Sequence, residues 1–574
     1  MAEHIIEFRD FGFQYKAQQS PTLYDINFGI EKGQKVLIAG PSGCGKSTLV
    51  HCMNGLIPFS YEGTMTGSLT INGRESRELD LFEISHVVGT VLQDSDAQFV
   101  GMTVAEDIAF ALENACVPQD EMKQEVHRVA QMVNVQDFLG HAPGEVSGGQ
   151  KQRVSVAGVL VDDVDVLLFD EPLANLDPAT GKQAIELIDD MQKQTGAAVI
   201  IVEHRLEDVL HRWVDRVLLM NEGRIVADQP ADELLSTDLL DRCGVRKPLY
   251  VTALEYAGVT VTPEKHPHHP DCLTLEADEM EQLRRWFDKR PQRAPKEVGE
   301  VMLEIQHLNF GYEKKDIHVL HDISMQIHRG EMMAIVGTNG AGKSTCSKVI
   351  CGFETPNEGQ ITFCGEDFAT YSIKERAERV GYVMQNPNAM ISQVMVYDEV
   401  AFGLRNRKVP EEEIATRVEE ALTVCGLWRM RNWPISALSF GQKKRVTIAS
   451  ILVLGPDLII LDEPTAGQDY KHYTDIMEFL LELNARGITI VMITHDMHLM
   501  LEYANRAVVF SHGRIIADDT PAHILTNPKV IKEASLKETS LYHLAMKCGI
   551  SDTSAFVQWF IDYERKTARH DESV

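Results

Sequence analysis

Two nine-residue runs, GPSGCGKST at 40–48 and GTNGAGKST at 337–345, space glycines, a lysine and hydroxyls as a phosphate cradle requires. Glycines let successive backbone N–H groups curl around phosphate oxygens, and a helix starting at the lysine adds the positive end of its dipole. Gly40, Pro41, Ser42, Gly43, Cys44, Gly45, Lys46, Ser47 and Thr48 are therefore read as one nucleotide cradle, and Gly337, Thr338, Asn339, Gly340, Ala341, Gly342, Lys343, Ser344 and Thr345 as another. Lys46 and Lys343 carry full positive charge to the β- and γ-phosphates, and Ser47 and Ser344 offer hydroxyls to Mg²⁺. A second pattern recurs further on: LLFDEP at 167–172 and IILDEP at 459–464. Apolar residues followed by two acids describe a buried strand that presents carboxylates at the C-terminal edge of a parallel sheet, where such proteins bind ligands. Asp170 and Asp462 are expected to hold Mg²⁺ through water, and Glu171 and Glu463 to orient or deprotonate the water that attacks the γ-phosphate.

These residues need rigid elements behind them. Each glycine run follows an apolar strand, KVLIAG or MMAIVG, and each half opens on further strands, IIEFRDFGFQY and MLEIQHLNFGY. Other segments return in the same order: VSGGQKQRV at 146–154 as LSFGQKKRV at 438–446, and LQDSDAQFVGMTVAEDIAF at 92–110 as MQNPNAMISQVMVYDEVAF at 384–402. From 40 to 337 the shift is 297, and from 146 to 438 it is 292, which places five extra residues in the first half, assigned to IPFSYEGTMTG at 57–67. One domain has been duplicated in tandem. The expected division is a first domain at 1–235, a linker rich in proline and charge at 236–300, a second domain at 301–530, and a helical amphipathic tail at 531–574 that contains FVQWFIDYER.

Composition sets the surroundings. A chain of 574 residues exceeds what one core supports. A formal charge of −30 argues against nucleic acid as a partner, because phosphate neutralisation needs clustered Lys and Arg. No apolar run has the length of a membrane span, and MAEHIIEFRD lacks the features of a signal peptide. The ten cysteines fall singly, without CxxC pairs, as suits a reducing compartment.

VSGGQ and LSFGQ, together with the phosphate loops, the Asp-Glu strand ends, Gln93 and Gln385, the runs ANLDP and AGQDY, and the histidines of IVEHR and MITHD, make each half resemble a complete ATP-binding cassette of the ABC superfamily. The resemblance implies an α/β fold of two tandem P-loop ATPase domains, each a RecA-like core with a β-subdomain and a helical subdomain. It implies ATP and Mg²⁺ as cofactors and head-to-tail pairing of the two cassettes within the chain. Tyr15 and Tyr312 would stack on adenine, and His204 and His495 would contact the γ-phosphate. Gln93 and Gln385 would sense Mg²⁺ and γ-phosphate. Ser147, Gly149 and Gln150, and Ser439, Gly441 and Gln442, would close over the nucleotide held by the opposite half. Phe440 and Gln468-Asp469-Tyr470 depart from the superfamily pattern. Neither removes a group that must touch phosphate, so both sites are expected to hydrolyse.

The stretch after Gln93, with Asp96, Ala97, Gln98, Phe99 and TVAEDIAFALEN, looks like that of energy-coupling factor (ECF) ATPases. That likeness implies a peripheral protein on the cytoplasmic face of the membrane, working with a transmembrane scaffold (T) subunit and a substrate-binding membrane (S) subunit to import a vitamin or a metal ion. Thiamine, its pyrimidine precursor, another vitamin, cobalt and nickel are all open. Asp96, Gln98 and Phe99 are expected on the coupling helix, and the acidic pairs Glu106-Asp107 and Asp398-Glu399 either meet arginines of the scaffold or form a solvated helix face. Two other classes share the twin-cassette plan. Soluble ABC proteins acting on ribosomes typically carry long basic helical linkers, whereas residues 236–300 mix acids and bases and are broken by Pro248, Pro263, Pro267, Pro270, Pro291 and Pro295. Fused ATPases of sugar importers usually carry one degenerate cassette, whereas Lys46, Lys343, Glu171 and Glu463 are all present.

Two further expectations concern thiols and imidazoles. Cys44, beside Lys46 at a helix N-terminus, is expected to be an accessible thiol of lowered pKa whose alkylation inhibits the first site; Ala341 stands at the matching position. His266, His268, His269 and Cys272 of HPHHPDC are metal-ligand types, but the proline-rich run is read as an exposed loop holding no stoichiometric metal.

Overall fold

The computed structural model describes residues 4–92, 98–174, 176–291, 299–312, 317–465, 468 and 470–571. The chain forms two compact units, residues 1–283 with 469–471, and residues 284–468 with 472–574. Their boundary falls inside the helix Ala277–Asp288.

In the first unit the strands are β1 (His4–Tyr15), β2 (Leu23–Glu31), β3 (Lys35–Ala39), β4 (Gly63–Ile71), β5 (Arg74–Glu75), β6 (Val88–Val91), β7 (Val166–Asp170), β8 (Ala198–Val202), β9 (Arg216–Asn221) and β10 (Arg224–Gln229). They build a four-stranded sheet ordered β2-β1-β4-β5 and a six-stranded sheet ordered β10-β9-β3-β8-β7-β6. The small sheet is antiparallel, and in the large one every pairing is parallel except that of β9 with β10. Strand β3 has no exposed residue and β7 none before Asp170, as strands covered on both faces must. Side chains on one face of the large sheet share a core with the small sheet, including Val36, Ile38, Leu168 and Ile200. Those on the other face, including Leu37, Leu167 and Phe169, pack with the helices Val104–Asn114 and Gly148–Leu160.

The second unit repeats the plan with β11 (Val301–Tyr312), β12 (Ile317–His328), β13 (Met332–Gly337), β14 (Glu358–Phe363), β15 (Glu366–Asp367), β16 (Val380–Val383), β17 (Leu458–Asp462), β18 (Thr489–Ile493), β19 (Arg506–Ser511) and β20 (Arg514–Asp519). Its sheets run β12-β11-β14-β15 and β16-β17-β18-β13-β19-β20, the same order strand for strand. One difference lies where the sequence is longer: a short helix, Leu56–Phe59, precedes β4, which has nine residues against six in β14.

Residues 236–300, expected as a linker, are folded where described. Helices span Leu239–Arg242, Leu249–Tyr256 and Ala277–Asp288. Leu249, Tyr250, Val251, Leu254 and Leu283 are buried. The run HPHHPDC is anchored: the Tyr250 hydroxyl donates to the Pro267 carbonyl at 2.5 Å, and Asp232 accepts from the His268 backbone N–H at 2.8 Å. In the tail, helices Ser540–Lys547 and Thr553–Asp571 pack together, and Trp286 lies 6.0 Å from Phe556 and 5.6 Å from Trp559 between ring centroids. Among the described residues no helix is long and apolar enough to cross a membrane.

Candidate nucleotide sites

Each large sheet delivers its central strand, β3 or β13, into a glycine loop that turns directly into a helix, Lys46–Met53 or Lys343–Cys351. The first glycine of each loop has no room for a side chain. A Cβ on Gly40 would lie 2.3 Å from the Met220 carbonyl oxygen, and one on Gly337 would lie 2.0 Å from that of Phe510. Over Gly43 and Gly340 the space is open instead, and both take positive φ, 75° and 78°. Backbone is thus exposed where a ligand must approach closely. The ammonium of Lys46 donates to the carbonyls of Gly40 and Pro41 at 2.7 and 2.9 Å, and that of Lys343 to those of Gly337 and Thr338, both at 2.8 Å. Both lysines are buried across their own loops, and a phosphate offers a stronger, charged acceptor at the same place. Ser47 is exposed and Ser344 half-buried. Tyr15 stands beside its loop, with its hydroxyl 3.1 Å from the Thr48 hydroxyl oxygen, while Tyr312 packs edge-on against Phe310 at 4.9 Å.

The acidic strand ends come next. Glu171 and Glu463 both lie in the left-handed region, at φ 49° and 47°, with backbone N–H groups donating to the Val202 and Ile493 carbonyls at 2.9 Å. Such a backbone costs on the order of 1 kcal/mol for a non-glycine residue and is held by that pairing. In the first site, burial and the neighbouring Glu171 push the Asp170 carboxyl up to about 6, against the pull of Lys46. Burial foremost, with Glu203 adding, also raises Glu171. Glu203 is fully buried, and its Oε1 lies 3.1 Å from His204 Nδ1. Three carboxylates thus crowd one lysine, a donor set of hard oxygens that suits a divalent cation. The second site is arranged differently. His495 Nε2 is 2.9 Å from Glu463 Oε1, and Thr494 stands where Glu203 stands in the first. The Tyr382 hydroxyl donates to Asp462 Oδ2 at 2.7 Å. Lys444, only 1% exposed, donates to the backbone carbonyls of Met384 and Gln385 at 2.8 and 2.9 Å. Burial pushes its ammonium down to about 8 while Asp462 and Glu463 pull the other way.

Ser147 and Ser439 cap the helices Gly148–Leu160 and Phe440–Leu452, each in a capping box with Gln150 or Gln442. Both serines are exposed at helix N-termini, an arrangement that receives anions. Gln150 and Gln442, expected to close over nucleotide, have their side-chain oxygens committed to the Ser147 and Ser439 backbone N–H groups, at 2.7 and 3.0 Å. Gly149 and Gly441 lie in the first turns of these helices. Gln385 is described directly after β16; Gln93, Asp96, Ala97, Asn175, Ala466, Gly467 and Asp469 lie outside the described residues.

Two expectations are corrected. Cys44 is 3% exposed rather than accessible, because the loop folds its sulfur inward against the small-sheet core. Gln98 and Phe99 are not helical. They precede the helix Val104–Asn114; the Gln98 Oε1 accepts from the Leu92 N–H at 3.2 Å, and Phe99 is partly buried against the core. The acidic pairs are engaged locally. Asp107 Oδ1 accepts from the N–H groups of Val100 and Gly101 at 2.8 and 3.1 Å, and Glu399 Oε2, at the matching position, from those of Ser392 and Gln393 at 2.8 and 2.7 Å. Glu106 caps its helix with Thr103, and Asp398 accepts from Arg405 at 2.9 Å. Sequence reasoning passed over Glu203, Tyr382 and Lys444; the one available signal was the change from KQR to KKR between the two signature runs.

Glycine loop, acidic strand end and serine-capped helix, each present twice, define a protein with two P-loop nucleotide-hydrolase domains. The ABC transporter family profile matches residues 23–174 and 320–466, and one described as ATP-binding cassette cobalt transporter matches residues 237–310. A Clostridium perfringens protein named as an ABC transporter ATP-binding protein is 57% identical over 98% of both chains. One of the same designation from Enterococcus faecalis is 55% identical over 99% of both. The solved structure of cbiO1 from Clostridium perfringens, titled as part of the ABC transporter complex cbiONQ, is 38% identical, with 43% of this chain and 99% of that one covered at a TM-score of 0.39. The chain belongs to the ABC transporter family as a two-cassette ATP-binding protein, an ATPase coupled to transport.

Proposed function

We propose that this ATPase energises an ECF-type importer of a vitamin or a metal ion, bound peripherally to the cytoplasmic face of the membrane through a T subunit and served by an S subunit. The observation that carries this reading is a pair of apolar residues exposed at matching positions of both cassettes. Met102 and Val394 are 84% and 74% exposed, and Phe110 and Phe402 are 43% and 41% exposed. Met102 and Val394 lie on loops that Asp107 and Glu399 hold in shape, and Phe110 and Phe402 lie on the helices Val104–Asn114 and Val396–Asn406 that follow. Exposed apolar groups on a structured loop mark a docking surface, and two copies suit a scaffold with two receiving elements. The match of residues 237–310 to a family described as a cobalt transporter supports the same class of machine. Cargo contacts would belong to the S subunit.

Within this reading the chain comprises cassettes at 1–235 and 301–530, a folded connector at 236–300 and a tail at 531–574. The two cassettes pair within the chain, Ser147 and Ser439 each serving the nucleotide of the other. Lys46 and Lys343 draw the terminal phosphates into the loops. Ser47 with Asp170, and Ser344 with Asp462, hold Mg²⁺, assisted by Gln93 and Gln385. When bound, Mg²⁺ neutralises charge on the phosphate oxygens. Glu171 and Glu463 accept a proton from, or orient, the attacking water, and His204 and His495 steady the γ-phosphate side.

The test is a Met102→Asp, Val394→Asp double variant. ATPase activity of the free chain is expected to stay within about twofold, because both side chains are exposed and neither belongs to a phosphate loop, an acidic strand end or a signature run, while co-purification with membrane subunits and uptake into vesicles fall at least about tenfold, the loss typical of buried anchors. Normal assembly and uptake would refute the docking role. Co-purification with ribosomes in place of membrane proteins would assign the chain to the translation class.

A further inference from the structure

Strand β16 and the residues after it carry Gln385, and the helix Phe440–Leu452 carries the signature serine at its N-cap. Lys444 joins the two. It lies one turn into that helix, and its ammonium reaches back 60 residues in sequence to the Met384 carbonyl and 59 to that of Gln385. A lysine 1% exposed is rare unless its donors are met, and these carbonyls meet two of the three. The first cassette is built otherwise. Gln152 occupies the matching position, and its side-chain amide donates at 2.7 Å to the carbonyl of Pro172, just after the acidic strand end. Thr90 matches Tyr382, and its hydroxyl has no hydrogen-bond partner among the described residues, whereas Tyr382 is bonded to Asp462.

We infer that Lys444 is a positioning residue for hydrolysis at the second site, fixing the backbone of Gln385 to the signature helix of its own cassette before nucleotide arrives. Gln385 acts on nucleotide from an exposed link between β16 and the short 3-10 turn Pro387–Ala389. Two charge-assisted bonds to consecutive carbonyls restrain that segment, so less of its freedom is lost when the γ-phosphate and cation are engaged. Exchanging the lysine for glutamine removes the charge and shortens the reach. Arginine keeps both charge and donors. The inference rests on the ATPase activity of the family and is independent of the ECF assignment.

The full-length chain is used. Without nucleotide, amide hydrogen exchange across residues 384–390 is expected to quicken at least about fivefold in Lys444→Gln and less than about twofold in Lys444→Arg, since charged hydrogen bonds are among the stronger restraints on a loop. Catalysis is read in a Glu171→Gln background, so that turnover reports the second site. There Lys444→Gln is expected to lower kcat about tenfold with ATP affinity within about twofold, and Lys444→Arg to recover at least half, the split expected of a group acting through another. Melting temperatures accompany every variant. If Lys444→Gln does not fold, Lys444→Met keeps the packed stem without the charge. Exchange unchanged in a folded Lys444 variant overturns the inference. So does a loss of kcat that falls in parallel with ATP affinity and is not recovered by arginine. A Glu171→Gln parent without turnover would count against hydrolysis at the second site, and the exchange measurement, which needs no hydrolysis, would still decide the brace.

Discussion

Asp170→Asn is expected to stabilise the first cassette in the absence of metal while abolishing its response to MgATP. Asp170 sits where burial and Glu171 hold its carboxyl near 6, against an ordinary value of 3.8. A carboxyl raised in the folded state binds protons more tightly there than in the unfolded chain, so folding favours the protonated form. Stability is therefore highest below about 4 and declines as pH rises through about 6. About two units correspond to about 3 kcal/mol, which partial exposure of the carboxylate reduces to about 2. Asparagine removes the charge with little change of shape. At pH 7.5 in EDTA the variant should melt about 4 °C higher, at roughly 2 °C per kcal/mol for a unit of this size, and the advantage should shrink to near zero as pH falls to about 4. MgATP should invert the order, raising the wild type through binding to the folded form and leaving the variant nearly unmoved. Asp462→Asn is the internal control: Asp462 already accepts a hydrogen bond from Tyr382, and Lys444 lies within range of its charge, so the gain should be at most about half as large. Scanning calorimetry across pH 4–8 reads all of these. Melting of Asp170→Asn at or below the wild-type temperature in EDTA, or an advantage undiminished at pH 4, would refute the reasoning.

Gly337→Ala should abolish nucleotide binding at the second site, since its Cβ would stand 2.0 Å from the Phe510 carbonyl oxygen at φ 138°; retention of ATP binding by Gly337→Ala in a Lys46→Ala background, where only the second loop is intact, would count against this. Maleimide applied to the native chain should label Cys116, Cys272 and Cys364, which are exposed, and leave Cys44 unmodified with ATPase activity retained, as peptide mapping after partial reaction would show; rapid labelling of Cys44 would contradict its burial.

What was legible in the sequence was chemistry confined to short runs. A glycine loop between a strand and a helix, or an Asp-Glu after apolar residues, has its geometry dictated by near neighbours, and the structure places both twice at the same sheet positions. Contacts that cross the fold left no such trace. Nothing local says that Lys444 reaches Met384, or that Asp107 holds Val100 in place instead of facing a partner. Cys44 misled because neighbouring charge argues for reactivity, while the loop's curl buries the sulfur in the core to which Leu49 and Ile38 also belong. Proline misled as well: Pro248 stands at the N-cap of the helix Leu249–Tyr256 and Pro263 begins a short 3-10 turn, so residues that suggested a broken linker start its folded elements.

The duplicated cassette has one fold and two electrostatic settings. Around the first acidic strand end, Asp170, Glu171 and Glu203 face Lys46, with His204 against Glu203. Around the second, Asp462 and Glu463 act on the buried Lys444, with His495 against Glu463. Replacing a carboxylate by Thr494 and an amide by Lys444 moves the local charge two steps in the positive direction. The second setting would therefore attract a divalent cation less, and there the segment of Gln385 is already held by Lys444. In the first, Asp170, Glu171 and Glu203 crowd together, so a cation held there would relieve more repulsion. Nucleotide bound with its cation is therefore expected to stabilise the two cassettes unequally.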